Sequence, residues 1–191
     1  MEGGGVNMMK KPIALLALAL SLGACSLEPS RPAALSVEDY IGKTYDAVDQ
    51  ILAQAERAHA ERGQFNKFDP IIVATLVNID ELAESSRLGR SISEQVASRM
   101  TQRGYQVVEL KLRGDLFVKR SEGELLLSRE IKDISLRHKA QAVVVGTYAM
   151  AEKFVHVNLK VVTGDTHHAL AAIDYGLPMD ENTKSLISRG R

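Results

Sequence analysis

Cysteine, tryptophan and any excess of one charge are scarce or absent in this chain of 191 residues. A single cysteine excludes an internal disulfide framework and a zinc site built from several cysteines. The 24 lysines and arginines are balanced by 24 aspartates and glutamates, so the chain lacks the basic excess that binding to nucleic acid phosphates requires. With no tryptophan, four phenylalanines and five tyrosines, it has no material for an aromatic cage. The remaining composition, 45% hydrophobic and 25% charged residues, is typical of a globular domain.

The apolar run at the N-terminus is too short to cross a membrane. It extends from Ile13 to Leu22, whereas a membrane-spanning helix needs about 20 apolar residues. Lys10 and Lys11 precede the run, and small residues follow it. These are the length and flanks of a secretory signal peptide, which the sequence predicts over residues 1–24.

The end of this segment, Leu22-Gly23-Ala24-Cys25, resembles the lipobox of bacterial lipoproteins. Small residues let the signal peptidase approach the backbone, and the thiol of Cys25 carries the diacylglycerol. A lone cysteine is otherwise most often a buried free thiol, but Cys25 lies outside any folded pattern. We therefore predict lipidation of Cys25. Because Ser26 follows rather than aspartate, analogy with the sorting rule of Gram-negative bacteria predicts the outer membrane.

The first seven residues do not fit the start of a signal peptide, which normally begins with its basic stretch. The codons for Glu2-Gly3-Gly4 resemble a ribosome-binding site, and Met8 follows at a suitable spacing. We expect translation to start at Met8 or Met9, with Met1 as the alternative.

A tether and a helix follow the predicted lipid anchor. Residues 25–35 are rich in proline, serine and alanine, which predicts a short tether. Ser36 and Asp39 have the spacing of a capping box and predict a helix over 36–63. Its apolar stripe consists of Ile41, Tyr45, Val48, Leu52, Ala55 and His59. Such a stripe is typical of packing on the following domain, and docking to a partner is the alternative interpretation.

Helices and strands then alternate within a predicted domain over 65–180. The continuous apolar run Ile71–Val77 is typical of a strand buried on both faces. A helix is predicted from a serine cap at Ser85 or Ser86 to Gly104, with an apolar residue at every fourth position. A second strand is predicted over 106–112 and a third helix over 126–138, with Ile131 and Ile134 pointing inward.

The last third of the domain has the two-residue period of antiparallel strands. A β-branched strand is predicted at Ala142–Ala149, an alternating strand around Val155–Val161 and a third strand at His167–Tyr175. A short helix over Glu181–Ser188 lies in the C-terminal tail, 181–191. The predicted fold class is α/β (α+β): a single mixed β-sheet with helices packed on it, a C-terminal antiparallel meander and a preceding amphipathic helix.

Catalytic and metal-binding motifs are absent from the sequence, including phosphate-binding glycine loops, a nucleophile elbow and H-E-x-x-H. His167 and His168 are adjacent, and neighbours on a strand point to opposite faces, so they do not easily chelate one metal. Asp80, Glu81 and Glu84 follow the first strand, where α/β folds often bind ligands. A solvated loop before a helix is the simpler interpretation of these carboxylates. We expect the protein to have no catalytic activity, to bind no metal and to carry no cofactor apart from the covalent lipid.

Several longer stretches resemble the FlgO family of outer-membrane flagellar proteins over residues 65–180. They are Ile72–Asp80, Leu88–Gln95, Gly104–Tyr105, Gly114–Arg120, Gly123–Ile131 and Ala142–Tyr148. More distantly, the strand ending in Gly146 is similar to those of TolB N-terminal and CsgG-type envelope domains.

The resemblance implies an outer-membrane lipoprotein, at the periplasmic face, that supports flagellar assembly, stability or motility through contacts with proteins such as FlgP and FlgT. It implies no catalysis and brings no catalytic residues. Arg120, Glu124, Arg129 and Glu130 lie in its most recognisable motifs. They are candidates for a partner-docking surface, with a turn and a capped helix as the alternative interpretation. Whether the protein forms an oligomer or a ring is left open.

Two other functions remain alternatives from the sequence. One is a secretion or assembly accessory lipoprotein of the CsgG or TolB type, unrelated to the flagellum. The other is a domain that binds a small ligand or acts as an enzyme. The sequence argues against it, because it shows neither a nucleophile paired with a base nor a cluster of ligand-binding residues.

Overall fold

The computed structural model describes residues 37–60, 65–81, 86–110, 132–164 and 168–188, together with Met1. In these ranges the elements are α1 (Val37–Ala60), β1 (Ile71–Ala74), β2 (Val77–Asn78), α2 (Arg87–Gln102), β3 (Val107–Leu110), α3 (132–138), β4 (Ala142–Met150), β5 (Phe154–Thr163), β6 (Ala169–Pro178) and α4 (Glu181–Ile187). None of the described helices is both long and apolar enough to span a bilayer.

One mixed sheet organises the fold, in the order β3-β1-β4-β5-β6, with β2 also paired to β4. The strands β3, β1 and β4 run parallel, whereas β4, β5 and β6 form an antiparallel meander. Gly146 lies opposite Leu159 in the meander, and a register shift follows Val161. The predicted fold class and its C-terminal meander are confirmed.

The prediction of one continuous strand over Ile71–Val77 was wrong. The run is divided into β1 and β2, which pair with successive parts of β4. At the break, the backbone N–H of Leu76 donates to Ser93 Oγ at 2.8 Å instead of to a neighbouring strand. The same hydroxyl donates to the Gly89 carbonyl at 2.8 Å, so α2 holds the interruption in place.

The two faces of the sheet carry cores of very different size. On the face covered by α1 and α2, fully buried side chains from the sheet and both helices form the main core, among them Ile51, Leu88 and Leu159. On the other face, Ile72, Val143 and Val162 form a small cluster, against which Ile134 of α3 packs. Right-handed crossovers explain this arrangement, because β3 and β4 lie on opposite sides of β1 and the two connections therefore cross opposite faces.

The ends of α2 follow its sequence signals. Ser86 is the N-cap, and its side chain accepts from the Gly89 N–H at 3.1 Å. Past the C-terminus, Gly104 has a φ of 85°, the left-handed conformation that glycine adopts without steric cost. The predicted cap, stripe and end of this helix are confirmed.

The buried face of α1 is wider than the predicted stripe. Val48, Leu52 and Ala55 are buried as expected, and Thr44, Ala47 and Ile51 are buried beside them, whereas Ile41 and Tyr45 are only partly buried. The helix packs on β6 and α2. Its Thr44 Oγ1 hydrogen-bonds the Tyr175 hydroxyl of β6 at 3.1 Å. The apolar face of α1 therefore packs into the domain, in line with the core interpretation.

Candidate interaction surface

A carboxylate on α1 holds two arginines of α2. Arg99 donates to Asp49 through Nε at 2.9 Å and through Nη2 at 2.6 Å. Arg103 donates through Nε at 2.6 Å and also through Nη2. Both arginines therefore bind Asp49 in the bidentate geometry that makes guanidinium–carboxylate pairs specific.

Helical spacing accounts for this cluster. Arg99 and Arg103 are four residues apart, so they project from the same side of α2. Asp49 follows the buried Val48 and lies at the margin of the α1 face that packs on the domain, with a quarter of its side chain exposed. Hydrogen bonds from Arg103 and then from Arg99 hold the pKa of Asp49 well below its usual range. The carboxylate therefore stays charged wherever the protein is folded at ordinary pH.

An aromatic ring extends the cluster along α1. The Arg99 guanidinium lies 5.1 Å from the centre of the Tyr45 ring, within the range of a cation–π contact. The Tyr45 hydroxyl accepts from Gln102 Nε2 at 3.3 Å. Tyr45 was predicted to belong to the apolar stripe, but its ring serves here as a partly exposed platform for an arginine.

A second pair lies about two turns further along α1. The Tyr105 hydroxyl donates to Glu56 Oε1 at 2.5 Å. Burial, and then the hydrogen bond and charge of Glu56, raise the pKa of Tyr105. Lys67 Nζ lies 5.5 Å from the centre of the Tyr105 ring and donates to the Arg103 carbonyl at 2.8 Å. The segment before β1 is thus attached to the end of α2.

An open groove of about 290 Å³ lies between these side chains. Its described lining consists of Asp49, Leu52, Ala53, Glu56, Lys67, Arg103 and Tyr105. This lining contains no histidine, cysteine or serine. Its charged groups all have partners in the protein: Asp49 binds Arg103, Glu56 binds the Tyr105 hydroxyl, and Lys67 binds the Arg103 carbonyl. Across the described ranges, no three histidine, cysteine, aspartate or glutamate side chains are grouped so that they could hold a metal. The groove has the mixed polar and apolar character of a contact surface.

Most of the site residues predicted from the sequence lie outside this groove. Cys25 and the four docking candidates Arg120, Glu124, Arg129 and Glu130 lie outside the described residues, so their roles stay predictions. Asp80 and Glu81 are exposed after β2. Among the histidines whose side chains are described, His138, His156 and His168 are all exposed.

Sequence reasoning did not find the cluster around Asp49. The four-residue spacing of Arg99 and Arg103 could have indicated a binding site for an anion, because it places two cations on one side of the predicted helix. Their anionic partner is 50 residues away in the chain. No spacing rule connects it to them.

The model of the family described as FlgO protein matches residues 45–182. The chain belongs to the FlgO family. The match confirms the resemblance seen in the sequence and extends it back into α1, so that it includes Asp49, Arg99, Arg103 and Tyr105. Family membership implies a flagellum-associated lipoprotein of the cell envelope, of a kind that is generally non-catalytic.

No curated protein matches the sequence. Among solved structures, the chain is similar to the LpoB C-terminal domain from Salmonella enterica, with 9% identity over 73% of this chain and 98% of that chain and a TM-score of 0.48. It is similar to a PelC dodecamer from Paraburkholderia phytofirmans, with 12% identity, coverage of 65% and 86%, and a TM-score of 0.45. Lipoprotein GNA1162 from Neisseria meningitidis gives 12% identity, coverage of 59% and 82%, and a TM-score of 0.43.

Proposed function

We propose that this protein is a non-enzymatic lipoprotein of the outer membrane that supports flagellar assembly, stability or motility through protein–protein contacts. The observation that carries the proposal is the FlgO family match, which spans the whole described sheet and α2. The described groove supports a non-enzymatic role, because each of its charged side chains is already bound to another group of the protein.

Lipidation of Cys25 is the proposed means of attachment. The basic residues, the ten-residue apolar run and the lipobox-like Leu22–Cys25 support it. We further propose FlgP-like or FlgT-like envelope proteins as partners, with Arg120, Glu124, Arg129 and Glu130 as the docking residues.

The decisive experiment compares swimming-ring diameter and filament images for a deletion strain complemented with wild type or with Cys25→Ala. We expect deletion to reduce swimming and only the wild-type chain to restore it. Radiolabelled palmitate should enter the wild-type protein and not Cys25→Ala. Normal swimming and normal filaments without the protein would refute the flagellar role. Loss of secretion instead would favour the CsgG-like or TolB-like accessory function.

Partner docking needs a separate experiment. Arg120→Glu combined with Arg129→Glu should abolish pull-down of the FlgP-like or FlgT-like protein without lowering the amount of the lipoprotein. A matched control is Arg57→Glu combined with Lys153→Glu, which reverses two charges at exposed described positions outside the proposed surface. Equal pull-down by both double variants would show that the proposed residues do not form the docking surface.

A further inference from the structure

The segment formed by α3 and the residue after it carries unpaired positive charge. Lys132, Arg137 and Lys139 are exposed, and none of them makes an ion pair with another described residue. Leu136 stands among them with 67% of its surface exposed. An apolar side chain surrounded by free cations favours contact with a surface that is both apolar and anionic.

A pocket of about 210 Å³ opens beside this segment. Its described lining consists of Lys132, Ser135, Leu136, Lys139, Ala140 and Gly164. Ser135 is only 3% exposed, and its hydroxyl has no hydrogen-bond partner among the described residues. Gly164 lies so close that an added Cβ would be 2.9 Å from Ser135 Oγ, so the hydroxyl lies between α3 and the turn after β5.

These groups together define the chemistry of a ligand. The exposed ammonium groups of Lys132 and Lys139, beside a mainly apolar pocket, favour an oxyanion such as a phosphate, because lysine is a common phosphate-binding residue. The wall supplied by Leu136 and Ala140 favours hydrocarbon next to that anion. A phosphate joined to hydrocarbon is the chemistry of a phospholipid at a membrane surface.

We propose that α3 and its pocket bind an anionic phospholipid, with Lys132 and Lys139 on the phosphate and Leu136 among the acyl chains. The proposal deepens the proposed function, since it rests on the attachment of the protein to a membrane. It assigns to the domain a second contact with the bilayer besides the covalent lipid.

The length of the predicted tether allows such a contact. Eleven residues lie between Cys25 and Val37, and the twelve Cα–Cα steps from one to the other span about 40 Å when fully extended. A domain of this size has a radius of gyration of about 15 Å, so a tether of that length allows the domain more than one orientation at the bilayer. Surface chemistry, rather than tether length, then decides which face lies against the membrane.

The other exposed apolar side chains of the described domain lack a local excess of positive charge. Phe68 lies between Lys67 and Asp69, Ile79 precedes Asp80, and Met150 and Phe154 lie beside Glu152 and Lys153, whereas Leu136 has three cations and one carboxylate within four residues. A carboxylate near an anionic bilayer is repelled, whereas each lysine near it is attracted. The α3 segment is therefore the favoured membrane contact among the exposed apolar positions of the described domain.

Vesicle co-sedimentation tests the proposal with the mature chain from residue 25, carrying Cys25→Ser so that no acyl chain is attached. The probes are vesicles of phosphatidylethanolamine with and without phosphatidylglycerol. We expect binding only when phosphatidylglycerol is present. Lys132→Gln with Lys139→Gln should weaken that binding about thirtyfold, and Leu136→Ser about tenfold.

A matched control removes the same charge elsewhere, with Lys43→Gln and Lys153→Gln, both at exposed positions. Equal binding by the two double variants would overturn the proposal, as would equal binding to both kinds of vesicle. Complete competition by inorganic phosphate would point to a soluble anion and would also overturn it. Capture of an acidic partner protein that Lys132→Gln with Lys139→Gln abolishes, without vesicle binding, would assign the segment to protein docking instead. Because the assay uses an unlipidated chain, its outcome is independent of palmitate labelling and of swimming.

Discussion

The two faces of the sheet are used differently. The face under α1 and α2 buries long aliphatic side chains almost completely, and it includes buried polar pairs such as Thr44 with Tyr175. The opposite face has a small apolar cluster at one end and exposed His156, Lys160 and Asp174 towards the other. The first face contributes most of the stability, whereas the second leaves side chains available to solvent and ligands.

This difference separates structural from functional change. Substitutions on the helix-covered face should alter the free energy of unfolding, because close-packed side chains leave no room for relaxation. Substitutions of exposed residues on the opposite face should alter binding while leaving stability nearly unchanged. The predictions that follow test this separation by their effect on stability.

The largest expected effect is that of Ile51→Ala. Ile51 is fully buried between α1 and the sheet, so truncation leaves a cavity in the main core. The free energy of unfolding should fall by about 3 kcal/mol, measured by urea denaturation. Ile134→Ala, at a half-buried position on the opposite face, is the control and should cost about 1 kcal/mol. Equal losses would show that the two faces contribute alike.

A pair of glycines gives a finer comparison. A Cβ added to Gly146, on the helix-covered face, would lie 2.8 Å from the Asn158 carbonyl oxygen and equally close to Leu159 and Leu76. Gly146→Ala should therefore lower the free energy of unfolding by about 2 kcal/mol, in thermal or urea unfolding. A Cβ added to Gly176, on the opposite face, meets nothing within 4 Å. A loss from Gly176→Ala as large as that from Gly146→Ala would contradict the comparison.

Asp49→Asn should lower the free energy of unfolding at neutral pH by about 1 kcal/mol, because the two arginines lose their anionic partner at a partly exposed site. The pKa of Asp49 is lowered by folding, so its contribution is complete above its unfolded value of about 4 and is lost as the pH falls further. The difference between wild type and variant should shrink as the pH falls below about 4. Asp46→Asn, an exposed change on the same helix, is the control. A difference that stays constant down to low pH would refute the role of the charge.

The smallest effect is expected on the open face. Asn158 Nδ2 of β5 donates to Asp174 Oδ1 of β6 at 2.8 Å, on the exposed face of these two strands. Asn158→Ala should change the free energy of unfolding by about 0.5 kcal/mol or less, since such cross-strand pairs contribute little in water. A loss above that of Asp49→Asn in the same urea titration would show that this face is structurally more important than its exposure indicates.

Sequence patterns predicted most of the fold because the main signals are local. The cap at Ser86, the glycine at 104 and the alternation around Val157 each depend on neighbours within one turn or one strand. The break between β1 and β2 was missed because Leu76 bonds Ser93 of another element. The width of the α1 face was missed because Thr44 and Ala47 give a weak apolar signal and are buried only by the sheet beside them.

The candidate site was less predictable than the fold. Family motifs directed attention to residues 114–131, which lie outside the described ranges. The described groove instead joins Asp49 to Arg99 and Arg103, and Glu56 to Tyr105, across about 50 residues of chain. Side chains so far apart in sequence meet only when α1 packs on α2.

By itself, the sequence determined the α+β class, the antiparallel meander and the FlgO resemblance, because periodicity, caps and family motifs are properties of short stretches. Only the tertiary structure decided which residues of α1 are buried, where the first strand breaks, and that two arginines share one carboxylate. It also decided that Ser135, Lys132 and Lys139 line one pocket beside Gly164. These outcomes depend on contacts between distant elements, and such contacts exist only after the helices have packed on the two faces of the sheet.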